Sequence, residues 1–530
     1  MLDDLFSRLE RLNDVGAALS NEWNLEALLE KILLAAKEIT RADGGTLYLV
    51  SEDRKYLNFE IVRTDSLRIA FGGATGQPMS GLFPPLSLYL ENGEVNDCMV
   101  AVHAAISGKT INIADAYTAE GFDFSGTRRF DAKTGYRSQS FLTVPMRNHE
   151  GEVIGVLQLI NSLAPDSAQV LTFSRADQQL AESLASQAAV ALTNRQLVQQ
   201  LEGLFESFVK LINLAIDEKS PYTAGHCQRV PELTMMLAEA ADAASDGPLA
   251  SFKLTDKDRH ELRIAALLHD CGKITTPVHV VDKATKLQTI FDRIALIDTR
   301  FEIIKRDAEI TMLRKLAQGG DEGSLLAQFS TFCEQCDLDR DFLRQANRGS
   351  ERMSDSDIAR VAQISNAYQW RTSAGTLEPL LSSDESENLS IRSGTLTPSE
   401  REIINHHIVA TIRMLEQLPW PKHLRNVPEY AGGHHERMDG KGYPRGLTRE
   451  QMSWQARMMG IADIFEALTA KDRPYKDGMK LSEALRIMES FVKGGHIDPD
   501  LHKVFLAAEI PLNYARQFLN EQQLDLDSMQ

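Results

Sequence analysis

Apolar residues recur with a period near 3.6 along residues 1 to about 40, where Leu25, Leu29, Ile32, Ala36 and Ile39 share one face, so this stretch is expected to be helical. The rhythm then changes. Stretches at 45–50, 56–62, 140–145 and 153–160 read as strands, with a turn at His149-Glu150-Gly151 joining the last two. A sheet with flanking helices is the expectation for this part of the chain. From Arg175 to about Lys219 a long helix is expected, in which Leu197, Leu201, Leu204, Phe208, Leu211 and Ala215 alternate steps of four and three. That spacing makes a coiled-coil seam, and Asn194 falls on the same register. The simpler alternative is a helix packed on its own domain. The position between two domains favours a connecting rod paired with a second copy.

Beyond the rod the pattern stays helical. Ser220-Pro221-Tyr222-Thr223 breaks it, Thr223 can cap the next helix, His226 lies in that helix's first turn, and Pro231 is expected to kink it. In 261–273, Leu262, Ala265, Ala266 and His269 share a face and Gly272 offers a C-terminal stop. His269 and Asp270 therefore leave a helix end side by side, diverging by about a hundred degrees. Residues 285 to about 395 form a mostly helical insertion with breaks at 319–323 and 382–394, and no chemical motif. Thr397-Pro398-Ser399-Glu400 is a helix start whose inward stripe is Ile403, Ile404, His407, Ile408, Thr411, Met414 and Leu415, with His406 at the edge. A helix over 455–470 carries Ile461, Phe465 and Leu468 inward, and Asp463 one step off that face, where a carboxylate needs a cationic partner. Asp472-Arg473-Pro474-Tyr475-Lys476 ends it. Amphipathic helix follows, then an acidic tail at 516–530.

Composition narrows the class. With 530 residues, 43% hydrophobic and 25% charged, the chain suits an ordinary soluble protein of two to four domains. A net charge of -18 argues against general nucleic-acid binding, which needs clustered Lys and Arg, but leaves a small phosphorylated ligand open. No apolar run of about eighteen residues and no charged-then-apolar leader occurs, so no membrane span is expected and the cytoplasm is the expected compartment. Cys98, Cys227, Cys271, Cys333 and Cys336 are scattered, as expected for reduced thiols.

The densest chemistry is His434-His435-Glu436-Arg437-Met438-Asp439-Gly440-Lys441-Gly442-Tyr443-Pro444, in which adjacent imidazoles suit a metal and the Gly-x-Gly-Tyr-Pro end suits a rigid turn. With His226, His269, Asp270, His407 and Asp463 it makes a set of nitrogen and oxygen donors without thiolates. Such a set suits a binuclear iron or manganese centre better than structural zinc.

Residues 42–50 (Ala-Asp-Gly-Gly-Thr-Leu-Tyr-Leu-Val), 141–146 and 155–161 (Gly-Val-Leu-Gln-Leu-Ile-Asn) resemble a GAF domain, a small-molecule or signal-sensing module, over roughly 20–195. That resemblance leaves the ligand open, and a purely dimerising role fits it equally. Tyr222-Thr-Ala-Gly-His-Cys-Gln-Arg-Val230, His269-Asp-Cys-Gly-Lys273, 407–415, the His434 to Pro444 stretch, and Ile461-Ala-Asp-Ile-Phe-Glu-Ala-Leu-Thr469 with 472–476 together resemble an HD-GYP domain over about 205–515. HD-GYP domains are metal-dependent phosphohydrolases whose known members cleave cyclic di-GMP. The resemblance implies His226, His269, Asp270, His407, His434, His435 and Asp463 as ligands, with Asp270 as the bridge. It further implies Lys273 at the scissile phosphate or a metal-activated hydroxide, Arg473 and Lys476 on the other phosphate or a guanine, and Tyr443 at the substrate edge. Glu436, Arg437 and Asp439 are candidates to orient the histidines from behind, or else to hold their own loop by ion pairs. Some members take a third metal through an acidic residue just ahead of the first histidine. Tyr222 to Gly225 occupy that place here, so two metals are expected.

The whole chain is thus expected to be a multidomain α+β protein: a GAF-like α/β sensor at 1–195, a connecting coiled-coil helix at 175–219, and an all-α HD-GYP domain at 205–515 interrupted at 285–395. The expected reaction is hydrolysis of cyclic di-GMP to pGpG and on to GMP, by a homodimer joined through the sensor and connecting helix. A cyclic-dinucleotide receptor with little turnover, and a cyclic GMP-AMP phosphodiesterase, are the alternatives.

Overall fold

The computed structural model describes residues 2–20, 22, 24–79, 81, 83–165, 167–220, 225–349, 352–470 and 478–526. The chain divides into two compact units, Met1–Phe205 and Glu206–Gln530. Among the described residues no helix is long and apolar enough to cross a membrane.

The first unit is built on an antiparallel sheet whose strands are β1 (Ala42–Val50), β2 (Tyr56–Thr64), β3 (Ile69–Phe71), β4 (Leu86–Ser87), β5 (Ile111–Ile113), β6 (Phe141–Arg147), β7 (Val153–Leu163) and β8 (Val170–Leu171). The order is β3-β2-β1-β7-β6-β5, with β4 on β2 and β8 on β7. Side chains alternate across it. Leu47, Leu157 and Leu159 join a core under the helices Leu2–Ser20, Leu25–Thr40 and the start of Arg175–Lys219, while Tyr48 and Val156 pack on the helix Val100–Ser107 from the opposite face. The four strands of two or three residues are too short to show alternation, which is why the hydrophobic pattern reveals only four. The stretch expected to be helical over residues 1–40 holds two helices, the second capped by Asn24, whose side chain accepts from the Ala27 N–H at 2.9 Å.

The helix Arg175–Lys219 has the expected span, and the burial of its apolar face changes along its length. Leu180, Leu184, Ala188 and Leu192 are buried in the first unit's core, whereas Leu197, Leu201, Leu204, Phe208 and Leu211 are 45–65% exposed.

The second unit is helical. His226–Asp242, Asp256–Leu268, Pro398–Glu416 and Trp454–Thr469 carry the polar centre, and Leu481–Lys493, Pro499–Ala507 and Ile510–Phe518 complete the bundle. Pro231 lies inside the first of these, and Thr223, the expected cap, lies outside the described residues. The helix before His269 ends at Leu268, not at Gly272, and a 3-10 turn Cys271–Thr275 follows. Gly272 serves close approach instead: a Cβ there would lie 2.0 Å from the His407 carbonyl oxygen. Pro398–Glu416 starts with the expected Thr397/Glu400 capping box. Its buried face is His407, Ile408, Thr411, Ile412 and Leu415, while Ile403 and Met414, expected inward, are exposed.

The insertion has its own core. Ile297, Phe301, Leu343, Val361, Ile364, Tyr368 and Leu380 join the helices Ile294–Ala317, Glu322–Asn347 and Asp355–Ala367 to a hairpin, β9 (Gln369–Arg371) and β10 (Leu377–Pro379). Lys283, buried, pins it to the Pro398–Glu416 helix by ion-pairing with Glu400 at 2.7 Å and donating to Asn388 Oδ1 at 2.8 Å. The stretch 382–394, expected to be loop, contains a capped helix, Ser383–Leu389. The described part of the expected acidic tail is packed, not free: Gln523 is buried and donates to Thr469 O and Met479 O.

Candidate metal centre

Three helix ends and two helix interiors deliver the donors. His226 is the first residue of its helix, His269 caps Asp256–Leu268 with Asp270 directly after it, His407 lies inside Pro398–Glu416, and His434-His435 follow Val427–Gly432. Asp463 projects from Trp454–Thr469. All seven proposed ligands converge, in two groups that share Asp270: His226 and His269 on one side, His407, His434 and His435 on the other. Asp463 Oδ1 joins the first group, 3.3 Å from His226 Nε2 and 3.9 Å from His269 Nε2. Asp270 faces both, with Oδ2 3.2 Å from His226 Nε2 and 3.3 Å from His269 Nε2, and Oδ1 3.2 Å from His407 Nε2.

The protons of the rings are accounted for on the far side. His269, His407 and His434 each direct Nδ1 at the backbone carbonyl three residues earlier, at 2.8, 2.5 and 2.6 Å. His226 Nδ1 lies 2.5 Å from Glu466 Oε2. The inward Nε2 atoms of these four rings are therefore the candidate ligand atoms. His226 Nε2 and His269 Nε2 lie 3.3 Å apart, close enough to share a proton or to bind one cation. His434 Nε2 and Asp270 Oδ1 are buried without a hydrogen-bond partner. His407 Nε2 lies 3.2 Å from Asp270 Oδ1 and 3.2 Å from His435 Nε2. Bonds of about 2.1 Å meeting near right angles place neighbouring ligand atoms about 3 Å apart, so the donor spacing fits metal ions.

The electrostatics differ between the rings. Burial opposes charge on His226, yet Glu466, Asp270 and Asp463 hold its imidazole well above the usual range. Burial would raise Asp270 and Asp463, but Lys273 and His269 at the first, and His226 at the second, hold both carboxyls well below theirs. Burial and neighbouring imidazoles push His434 far down, and burial chiefly takes His435 to about 4. Near neutral pH this leaves neutral His434 and His435 rings facing ionised carboxylates, the forms that coordinate cations.

The other expected positions divide. Lys273 Nζ is 2.5 Å from Asp270 Oδ2. Tyr443 stacks on His435, with ring centroids 4.9 Å apart and planes at 24°, and burial raises its phenol to about 12. Arg473 and Lys476 lie outside the described residues. Glu436 does not orient the histidines: its carboxylate accepts from Arg445 N at 2.7 Å and Leu447 N at 2.9 Å, closing its own loop. Arg437 and Asp439 pair with each other at 2.9 Å, and Asp439 N donates to Gly495 O. Gly442 lets the loop fold back on itself, since a Cβ there would fall 2.4 Å from Arg437 N. The residue behind a histidine is Glu466, which sequence reasoning missed. Fully buried, it accepts from Arg229 Nε at 2.8 Å while its other oxygen meets His226. A carboxylate one turn after Asp463 on a buried helix was the available signal.

Family comparisons divide the chain in the same way. A GAF domain matches residues 24–192, and HD domains match 223–365 and 382–501. The chain therefore combines a GAF domain with a helical HD domain, the organisation expected of an HD-GYP protein with an N-terminal GAF domain. Its relatives include a cyclic di-GMP phosphodiesterase of Pseudomonas aeruginosa, 40% identical over 115 residues that make up 22% of this chain and 27% of that protein. A 3'3'-cGAMP-specific phosphodiesterase of Vibrio cholerae is 35% identical over 27% of this chain and 30% of its own length. A cyclic di-GMP phosphodiesterase of Thermotoga maritima is 37% identical over 23% of this chain and 33% of its own. The matches thus span about a third or less of these relatives.

Proposed function

We propose that the protein is a signal-regulated, metal-dependent phosphodiesterase that linearises cyclic di-GMP to pGpG and then GMP. The observation that carries this reading is the convergence of imidazole and carboxylate donors on two overlapping positions that share Asp270, with His434 Nε2 and Asp270 Oδ1 buried and without a hydrogen-bond partner. His226, His269, Asp270 and Asp463 would hold one divalent ion and Asp270, His407, His434 and His435 the other, iron or manganese by their nitrogen and oxygen character. When bound, such a pair supplies Lewis acidity and an activated water, which phosphodiester cleavage needs because a weak nucleophile must approach an anion.

The chain's own groups supply the rest. Lys273, held against Asp270, brings a point charge to the scissile phosphate. Tyr443, braced on His435, gives a flat wall for a purine, and Arg473 and Lys476 hold the second phosphate or a guanine. A homodimer formed along the exposed Leu197 to Leu211 seam, acting in the cytoplasm, would receive its signal from a small molecule on the GAF domain. The names of the Vibrio cholerae relatives favour 3'3'-cGAMP as a second substrate to test.

The test is turnover of both dinucleotides by protein reduced anaerobically, with iron and manganese quantified. Hydrolysis that disappears in Asp270→Ala is expected. Binding without hydrolysis in the metal-loaded protein would leave a receptor instead.

A further inference from the structure

We infer that Glu466 is a positioning residue that fixes His226 as a charge-assisted ligand, so that the His226 half of the centre binds its ion more tightly than the His407 half. The inference rests on the metal centre proposed above and concerns its internal order.

The contrast lies in what stands behind each ring. His269, His407 and His434 donate from Nδ1 to neutral backbone carbonyls three residues earlier: Ala266, Ile404 and Ala431. His226 is the first residue of its helix, and among the described residues its Nδ1 meets no such carbonyl. A carboxylate takes that place. Glu466 Oε2 lies 2.5 Å from His226 Nδ1, and its Oε1 is held by Arg229 Nε at 2.8 Å and Nη2 at 2.7 Å. Arg229 follows His226 by three residues and Glu466 follows Asp463 by three, so one ion-paired cluster locks the two helices that contribute both ligands.

Two effects follow. A hydrogen bond to an ionised acceptor is stronger than one to a carbonyl, and it raises the basicity of the far nitrogen toward a metal. The halves also differ in charge. Beyond the shared Asp270, the His226 side adds the carboxylate of Asp463 and, behind the ring, that of Glu466, whereas the His407 side adds only imidazoles. A divalent ion is held more firmly where the anionic charge is greater and the donors are already fixed.

The experiment uses the full-length protein stripped of metal and titrated with Mn2+ by calorimetry, with bound metal counted after gel filtration. Wild type is expected to bind in two unequal steps. Glu466→Gln keeps the shape of the side chain and should weaken the tighter step by about 10- to 100-fold while leaving the weaker step in place. Thermal unfolding of the metal-free forms reports whether the variant folds. His226→Ala gives an independent arm: it should abolish the tighter step and retain the weaker. Two equal steps in wild type, no metal bound by wild type, an unchanged tight step in Glu466→Gln, or survival of the tighter step in His226→Ala would each overturn the inference. Hydrolysis is scored separately. Wild type that binds two ions in unequal steps but cleaves no cyclic dinucleotide would remove the proposed activity and leave the role of Glu466 standing.

Discussion

Gly272→Ala tests whether the close approach of two backbones sets the centre. A Cβ at Gly272 would fall 2.0 Å from His407 O, 2.5 Å from Thr411 N and 2.7 Å from Thr411 Oγ1, where ordinary contact begins at 3.4 Å. The nearest two obstacles are backbone, so no side chain can swing aside. Relieving the first requires the Cys271–Thr275 turn and the Pro398–Glu416 helix to part by 1.4 Å, the difference between 3.4 and 2.0 Å. That movement breaks the 2.9 Å hydrogen bond from Gly272 N to Thr411 Oγ1 and draws Asp270, two residues away, off His407. Overpacking costs about 1–3 kcal/mol. An orphaned buried donor adds about 1–3 kcal/mol, giving about 2–6 kcal/mol against a domain stability of about 5–15 kcal/mol. Catalysis should fall further, because a misplacement of about 1 Å can cost about 100-fold. The assay combines thermal unfolding, metal content and turnover. Thr411→Val serves as the control: it removes the acceptor alone, should cost about 1–3 kcal/mol, and should keep its metal. A Gly272→Ala protein with wild-type melting temperature, metal content and turnover would refute the reasoning.

Lys286 is fully buried, donates to Ile391 O at 2.7 Å and Leu389 O at 3.2 Å, and burial lowers its pKa to about 8. Between pH 8 and its ordinary range the unfolded chain binds the extra proton, so stability should rise with pH by about 3 kcal/mol across that window. Lys286→Met should lack this rise, and denaturant melts of both proteins at pH 7, 8, 9 and 10 check it. Tyr443→Ala should raise KM about ten-fold through lost base stacking and leave metal content unchanged, as read by steady-state kinetics beside metal analysis. At its end the helix Arg175–Lys219 is tied to the turn after Asp270, Lys219 Nζ donating to Lys273 O at 3.2 Å and Ile274 O at 2.5 Å. Four residues inserted after Leu201 would rotate and lengthen the helix by about 40° and about 6 Å. Turnover should change while metal content does not, and equal turnover would argue against a transmitting rod.

Local rules carried much of this protein. The capping box at Thr397 to Glu400 and the span of the helix Arg175–Lys219 depend on neighbours within a few residues, so the chain order alone determined them. The clustering of histidines and carboxylates at helix ends was also visible, because metal chemistry restricts which residue types can serve. What stands behind His226 was decided only by tertiary packing. Glu466 lies 240 residues from His226, and no local pattern pairs them. Glu436, beside the histidines in the chain, spends its carboxylate on its own loop. Gly272 reads as a helix stop in one dimension and acts as a contact point in three, because the His407 carbonyl, 135 residues further on, occupies the place of its missing Cβ. Periodicity reports which face of an element is apolar, whereas hydrogen-bond partners and backbone clearances depend on which elements meet.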